Sequence, residues 1–300
     1  MNPKLPLMSC ALTELTVKAA VMDEQGCWQE SALACEKPLT IYLNKRELVT
    51  LMTLGENPEA LVLGYLRNQG LVKSLSEVRA IQVDWEVGAA AVVLEALPED
   101  LEQTLAKKTV TTGCGQGSVF GDQMARLEAL QLPDWSWQQS CLYRLLDQLN
   151  GENTTYRSAG AVHACALGTV EGEVLAFCED IGRHNAVDTL AGRLWLEALP
   201  EGDQVFYTTG RLTSEMVIKS AQMGISVLVS RSGATEMGWR LAQQLGLLLI
   251  ARAKGRHFQV YAGQERLELD AKPKLRPGDQ KTKSKKPLIN VTSAGQARRN

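Results

Sequence analysis

Residues 179–192 read E-D-I-G-R-H-N-A-V-D-T-L-A-G and place Glu179, Asp180, Arg183, His184, Asn185 and Asp188 within ten positions. Acid, base, cation and hydrogen-bond acceptor therefore share one short stretch. Gly182 beside the Arg and the His permits close backbone approach. A second chemical group is Cys114, in T-T-G-C-G-Q-G-S over residues 111–118. Glycine has no side chain to shield a neighbouring thiol, and successive N–H groups in such a turn stabilise a thiolate. A glycine-rich linker that happens to hold a Cys fits the composition equally well.

Further cations follow apolar runs. Arg211 lies in T-T-G-R, Arg231 in S-R-S, and Ala251, Arg252, Ala253, Lys254, Gly255 and Arg256 form A-R-A-K-G-R. Arginines and hydroxyls after strand ends suit a phosphate-bearing ligand. Capped helices and a solvated β-turn are the bland alternatives. His163, in V-H-A-C, invites comparison with the H-A-E segment of zinc-dependent deaminases. Those enzymes need a C-x-x-C pair and a Glu as well. Here Cys165 takes the Glu position and no C-x-x-C exists, so no zinc site is expected. His163 is then a core histidine or a pocket residue.

These residues need elements to hold them. Strand-like runs at 161–167, 174–178, 204–207, 227–229 and 247–251 alternate with helical runs at 186–196, 215–222 and 236–245. Alternating strand and helix predicts an α/β unit with a largely parallel sheet. Ahead of it, a strand at 39–43, a turn at 44–46, a helix opening at Pro58 and strands at 78–83 and 89–94 predict a smaller α+β region. Residues 1–36 are weakly patterned. Four glycines in 113–121 read as a mobile loop, and 124–149 as a helix broken at Pro133. The expected organisation is a 1–125 α+β region ending in the Cys114 loop, a 126–144 helical connector, a 145–263 α/β domain and a 264–300 disordered basic tail.

Composition narrows the function. Apolar content of 45% suits a packed globular chain, and no apolar run is long enough to span a membrane. Seven cysteines at irregular spacing, with no secretory signal, fit free thiols in a cytoplasm. Residues 271–300 hold nine Lys or Arg and one Asp, leaving the first 270 with a net charge of −10. The tail lacks aromatic residues and has few large apolar ones, so it reads as disordered rather than as a specific nucleic-acid binder.

The 179–192 segment resembles the E-D-x-G-R-H-x-A-x-D-K signature of the FdhD family, formate dehydrogenase accessory sulfurtransferases. Residues 208–219 (T-T-G-R-L-T-S-E-M-V-I-K), 224–235 (G-I-S-V-L-V-S-R-S-G-A-T) and 61–70 (L-V-L-G-Y-L-R-N-Q-G) resemble further family segments, in order and at family-like spacing. The resemblance implies a three-layer, cytidine-deaminase-like C-terminal domain without zinc. It implies that Cys114 takes sulfur from a cysteine desulfurase as a persulfide and delivers it to bis-molybdopterin guanine dinucleotide, carrying Mo or W, for formate dehydrogenase. It places that cofactor on Ala251–Arg256 with Arg211, Arg231, His163, Arg183 and His184, and implies a homodimer. One position departs: where the family carries C-G-x-C-G, Gly117 stands in place of the second Cys. A cofactor-binding chaperone without sulfur transfer, or a nucleotide-binding regulatory module, would also fit that departure.

Overall fold

The computed structural model describes residues 5–96, 130, 132–200 and 202–272. Cys114 with its glycine-rich loop, the 124–129 run, Lys274 and the rest of the tail beyond Lys272 lie outside these residues.

The first half builds one five-stranded sheet and one separate ribbon. Its elements are β1 (Leu7–Met8), β2 (Thr16–Met22), β3 (Trp28–Ala34), β4 (Lys37–Leu43), β5 (Arg46–Thr53), α1 (Pro58–Asn68), β6 (Val78–Asp84) and β7 (Ala89–Leu94). The sheet runs β1-β6-β7-β4-β5, and among the described residues β2 pairs with β3 alone. Alternation builds its core. Ile41, Ile81, Val83, Ala90 and Val92 point inward and pack with Leu61, Leu63, Tyr65 and Leu66 of α1. Pro58 opens α1, as its fixed φ predicts, and Glu59 in that first turn accepts from Ser9 Oγ at 2.6 Å and Ala11 N at 3.0 Å.

The second half begins with β8 (Trp137–Gln138), α2 (Gln139–Glu152) and α3 (Thr154–Ala159). It continues through β9 (His163–Thr169), β10 (Val174–Asp180), α4 (Arg183–Leu196), β11 (Gln204–Thr208), α5 (Ser214–Gln222), β12 (Val227–Ser230), α6 (Glu236–Gln244), β13 (Leu248–Lys254), β14 (His257–Ala262) and β15 (Leu267–Glu268). Six strands order as β10-β9-β11-β12-β13-β14. Side chains alternate between two clusters. Leu167, Phe206, Leu228 and Leu249 face α4, α5 and α6, whereas Ala166, Val205, Val229 and Ile250 face α2. Helices on both faces explain why β11 and β12 are buried along their whole length.

The sheet is more mixed than the strand–helix alternation predicts. Only β11–β12 and β12–β13 are parallel, while β9–β10, β9–β11 and β13–β14 are antiparallel. Two hairpins flank the parallel centre, and short apolar runs carry no sign of strand direction. Ordered chain also continues past Gly263, the expected boundary. The Arg266 guanidinium is buried, donating to Ser226 Oγ (2.9 Å), Gly246 O (2.7 Å) and Trp135 O (3.1 Å). Asp270 accepts from Ser140 N at 2.8 Å, capping α2 from 130 residues away.

Helices α1 and α4 join the halves through two glycines. A Cβ on Gly64 would fall 1.7 Å from Asp188 O, and one on Gly192 2.0 Å from Ala60 O. Arg67 donates to Ala191 O at 3.0 Å and lies over the Trp195 ring at 4.6 Å.

Candidate functional site

Topology gathers the cations. β10, β11, β12 and β13 run one way and β9 the other, so the ends of β10, β11 and β12, the start of β9 and the overhanging end of β13 share one sheet edge. His163, Arg183, His184, Arg211, Arg231 and Arg252 belong to the residues at that edge. Backbone bonds fix the loops. Arg231 N donates to Thr208 O at 2.9 Å, Arg252 N to Ser232 O at 2.6 Å, and Ser230 Oγ to Gly210 O at 2.6 Å. Arg252 takes φ 53°, a left-handed value uncommon away from glycine, at an irregularity in the β13–β14 register.

The charges at this edge act on one another. Arg183 packs over Gly210, where a Cβ would meet its Cβ and Cδ at 3.1 Å. Half-burial first, then Arg183 and Arg211, lower the His163 pKa. Burial, with Lys219, Arg183 and His163 adding, depresses His184 to about 3, so it is neutral near pH 7. Its Nε2 lies 3.3 Å from Glu215 Oε2 without hydrogen-bond alignment. The contact is therefore not an ion pair at that pH. Arg231 lies over the Tyr156 ring, 5.7 Å from its centroid.

The acids of the 179–192 segment are engaged in structural hydrogen bonds. Glu179 accepts from Thr155 N (2.8 Å) and Tyr156 N (3.0 Å), capping α3. Asp180 accepts from Leu54 N (3.2 Å), Gly182 N (2.9 Å) and Asn185 Nδ2 (3.0 Å), with Thr53 Oγ1 as a fourth donor. Burial still raises its pKa against those bonds. Asp188 takes both its oxygens to Lys219 Nζ at 2.8 Å and accepts from Asn68 Nδ2 at 2.6 Å.

Not every expected residue reaches the edge. Arg256 donates to Asp147 Oδ2 at 2.7 Å and lies over Tyr143 at 4.6 Å, which ties it to α2. Ala251 and Ala253 are buried strand residues, and Lys254 and Gly255 lead into the turn. Tyr156 and Glu179's cap are site features that sequence reasoning missed, because α3 lacks apolar periodicity. Cys165 donates to Thr208 Oγ1 at 3.3 Å, and burial pushes its thiol up to about 12. Burial raises Cys178 as well. Neither carries thiolate at neutral pH.

A model described as the FdhD/NarQ family matches residues 34–268. The chain is similar to the sulfur carrier protein FdhD of Bacillus subtilis strain 168, 32% identical over 243 residues, 79% of this chain and 91% of that protein. It is also similar to the sulfur carrier protein FdhD of Bacillus licheniformis, 31% identical over 242 residues, 80% of this chain and 91% of that one. A crystal structure described, provisionally, as a formate dehydrogenase accessory protein from Desulfotalea psychrophila superposes with a TM-score of 0.70 at 26% identity, over 85% of this chain and all of that one.

Proposed function

The chain belongs to the FdhD/NarQ family, and on that premise we propose that it is a cytoplasmic sulfurtransferase serving formate dehydrogenase. The Cys114 thiolate attacks the outer sulfur of a cysteine desulfurase persulfide. A bond forms from Cys114 Sγ to that sulfur, the donor S–S bond breaks, and the donor cysteine leaves as thiolate. Delivery of that sulfur as sulfide to the Mo or W of bis-molybdopterin guanine dinucleotide, which is cargo here, would break the Cys114 S–S bond, return Cys114 as thiol and draw two electrons from a thiol reductant. The zinc-free, cytidine-deaminase-like layering belongs to the same reading.

The observation that supports this is the sheet edge that Arg211, Arg231 and Arg252 share with Arg183, which packs over Gly210. Guanidiniums and loop N–H groups fit the phosphates of a dinucleotide. The Arg211, Arg231, Arg183 and His163 group would hold it, with the 251–256 segment flanking. Among the described cysteines, Cys165 and Cys178 are too buried to relay sulfur. Gly117, where the family has a second Cys, favours one rival reading: a cofactor chaperone that transfers no sulfur.

Mass spectrometry after incubation with a cysteine desulfurase and cysteine separates the two. Wild type should gain one sulfur that Cys114→Ala lacks, while Cys141→Ala keeps it. Equal loading of Cys114→Ala sinks sulfur transfer through this residue. No loading of wild type leaves the chaperone.

A further inference from the structure

Among the described residues four cations lie over aromatic rings, and three of them have donors engaged elsewhere. Lys37, over Trp85, donates to Thr13 and to Glu14 O. Arg67, over Trp195, donates to Ala191 O. Arg256, over Tyr143, donates to Asp147. Arg231, over Tyr156, differs: among the described residues its guanidinium takes part in no hydrogen bond and no ion pair. Tyr156 has no competing task either. Its ring is 45% exposed, belongs to none of the three hydrophobic clusters, and its hydroxyl makes no hydrogen bond among the described residues. Its backbone, by contrast, is fixed. Glu179 accepts from Thr155 N and Tyr156 N, and Glu179 N in turn donates to Glu56 Oε2 at 3.1 Å. The end of β10 and the residues before α1 thus set where this ring stands.

A ring and a carboxylate hold an arginine in different ways. A carboxylate occupies the N–H fork, whereas a ring attracts the cation through its π face and leaves the N–H donors open. A side chain restricted before its ligand arrives also loses less freedom on binding. We propose that Tyr156 is a positioning residue, which holds Arg231 at the sheet edge with its donors free for the ligand's phosphate oxygens and does not itself touch that ligand. The inference rests on the reading of this edge as the phosphate site for a guanine dinucleotide. It assigns to the short helix α3 a share in that site that no cation of its own supplies.

The test is calorimetric titration of the full chain with GDP and with inorganic pyrophosphate, which carries phosphates without a base. Tyr156→Leu should weaken both probes alike, by about three- to fivefold. Tyr156→Phe keeps the π face and should bind both as wild type does. In an Arg231→Met background, Tyr156→Leu should cause no further loss, because the ring acts through Arg231 alone. Unchanged affinity in Tyr156→Leu, or weakened affinity in Tyr156→Phe, overturns the proposal. So does a loss confined to GDP, or a further loss in the Arg231→Met background, since either puts the ring against the ligand. Loss of the wild-type far-UV circular dichroism in Tyr156→Leu overturns it too, by giving the ring a structural task. Wild type that binds neither probe is a separate result: it removes the phosphate site, and the inference with it.

Discussion

Arg256 donates to Asp147 across 109 residues of sequence, at 2.7 Å, with its guanidinium also over Tyr143. Its charge is partly neutralised, whereas among the described residues no carboxylate forms a salt bridge with Arg231. Calorimetric titration with GDP, a fragment of the proposed cargo, should therefore show Arg231→Ala weakening binding by about tenfold or more. A charge-assisted phosphate contact is worth roughly 1.5–3 kcal/mol. Arg256→Ala should weaken it less. The reverse order would move the phosphate site to the β13–β14 turn.

Lys219 and Asp188 form a buried pair between α5 and α4. Lys219→Met leaves the Asp188 carboxylate buried without its cation and should destabilise the fold by about 3–5 kcal/mol. Adding Asp188→Leu should recover a good part of that loss. Denaturant midpoints of the two variants decide it, and equal losses would show that the charge is not the cause.

The helix crossing depends on absent side chains. Gly64→Ala has no room and should cost about 3 kcal/mol or more. Gly151→Ala, in α2 with nothing within 4 Å of the added methyl, should stabilise by roughly 0.5–1 kcal/mol. Thermal unfolding of both against wild type checks the contrast. A silent Gly64→Ala would mean that α1 and α4 part readily.

His184 gives the fold a pH dependence. Its folded pKa of about 3 lies below the ordinary 6.5, so between those values the unfolded chain binds more protons. Stability from this group is complete above pH 6.5 and is lost as pH falls toward 3. The raised pKa of Asp180 acts with the opposite sign just above 3.8. His184→Gln should flatten the melting temperature between pH 6.5 and 4 relative to wild type. Parallel curves would remove His184 as the source.

The local grammar of the chain was legible. Pro58 does begin a helix, Asn44 and Lys45 do turn with positive φ, and the polar stretch after the 174–178 run does open α4. What stayed hidden depends on distance. Nothing in residues 179–180 reveals that their carboxylates bind Thr155, Tyr156 and Leu54. Asp147 gives no sign that it neutralises Arg256. The β2–β3 ribbon escaped notice because neither face is buried, so residues 1–36 show only some alternating apolar positions and a weak pattern.

The grip of Arg266 on Pro133, Trp135 and Gly246, and the pairing of Leu267 with Trp137, impose a timetable on synthesis. Trp137 is fully buried, yet one of the strands that fixes it is translated 130 residues later. α2 likewise receives its Asp270 cap only when Asp270 has left the ribosome. The layer covering the α2 face of the sheet therefore closes only after residue 270 has been translated, however early the 37–94 half has set.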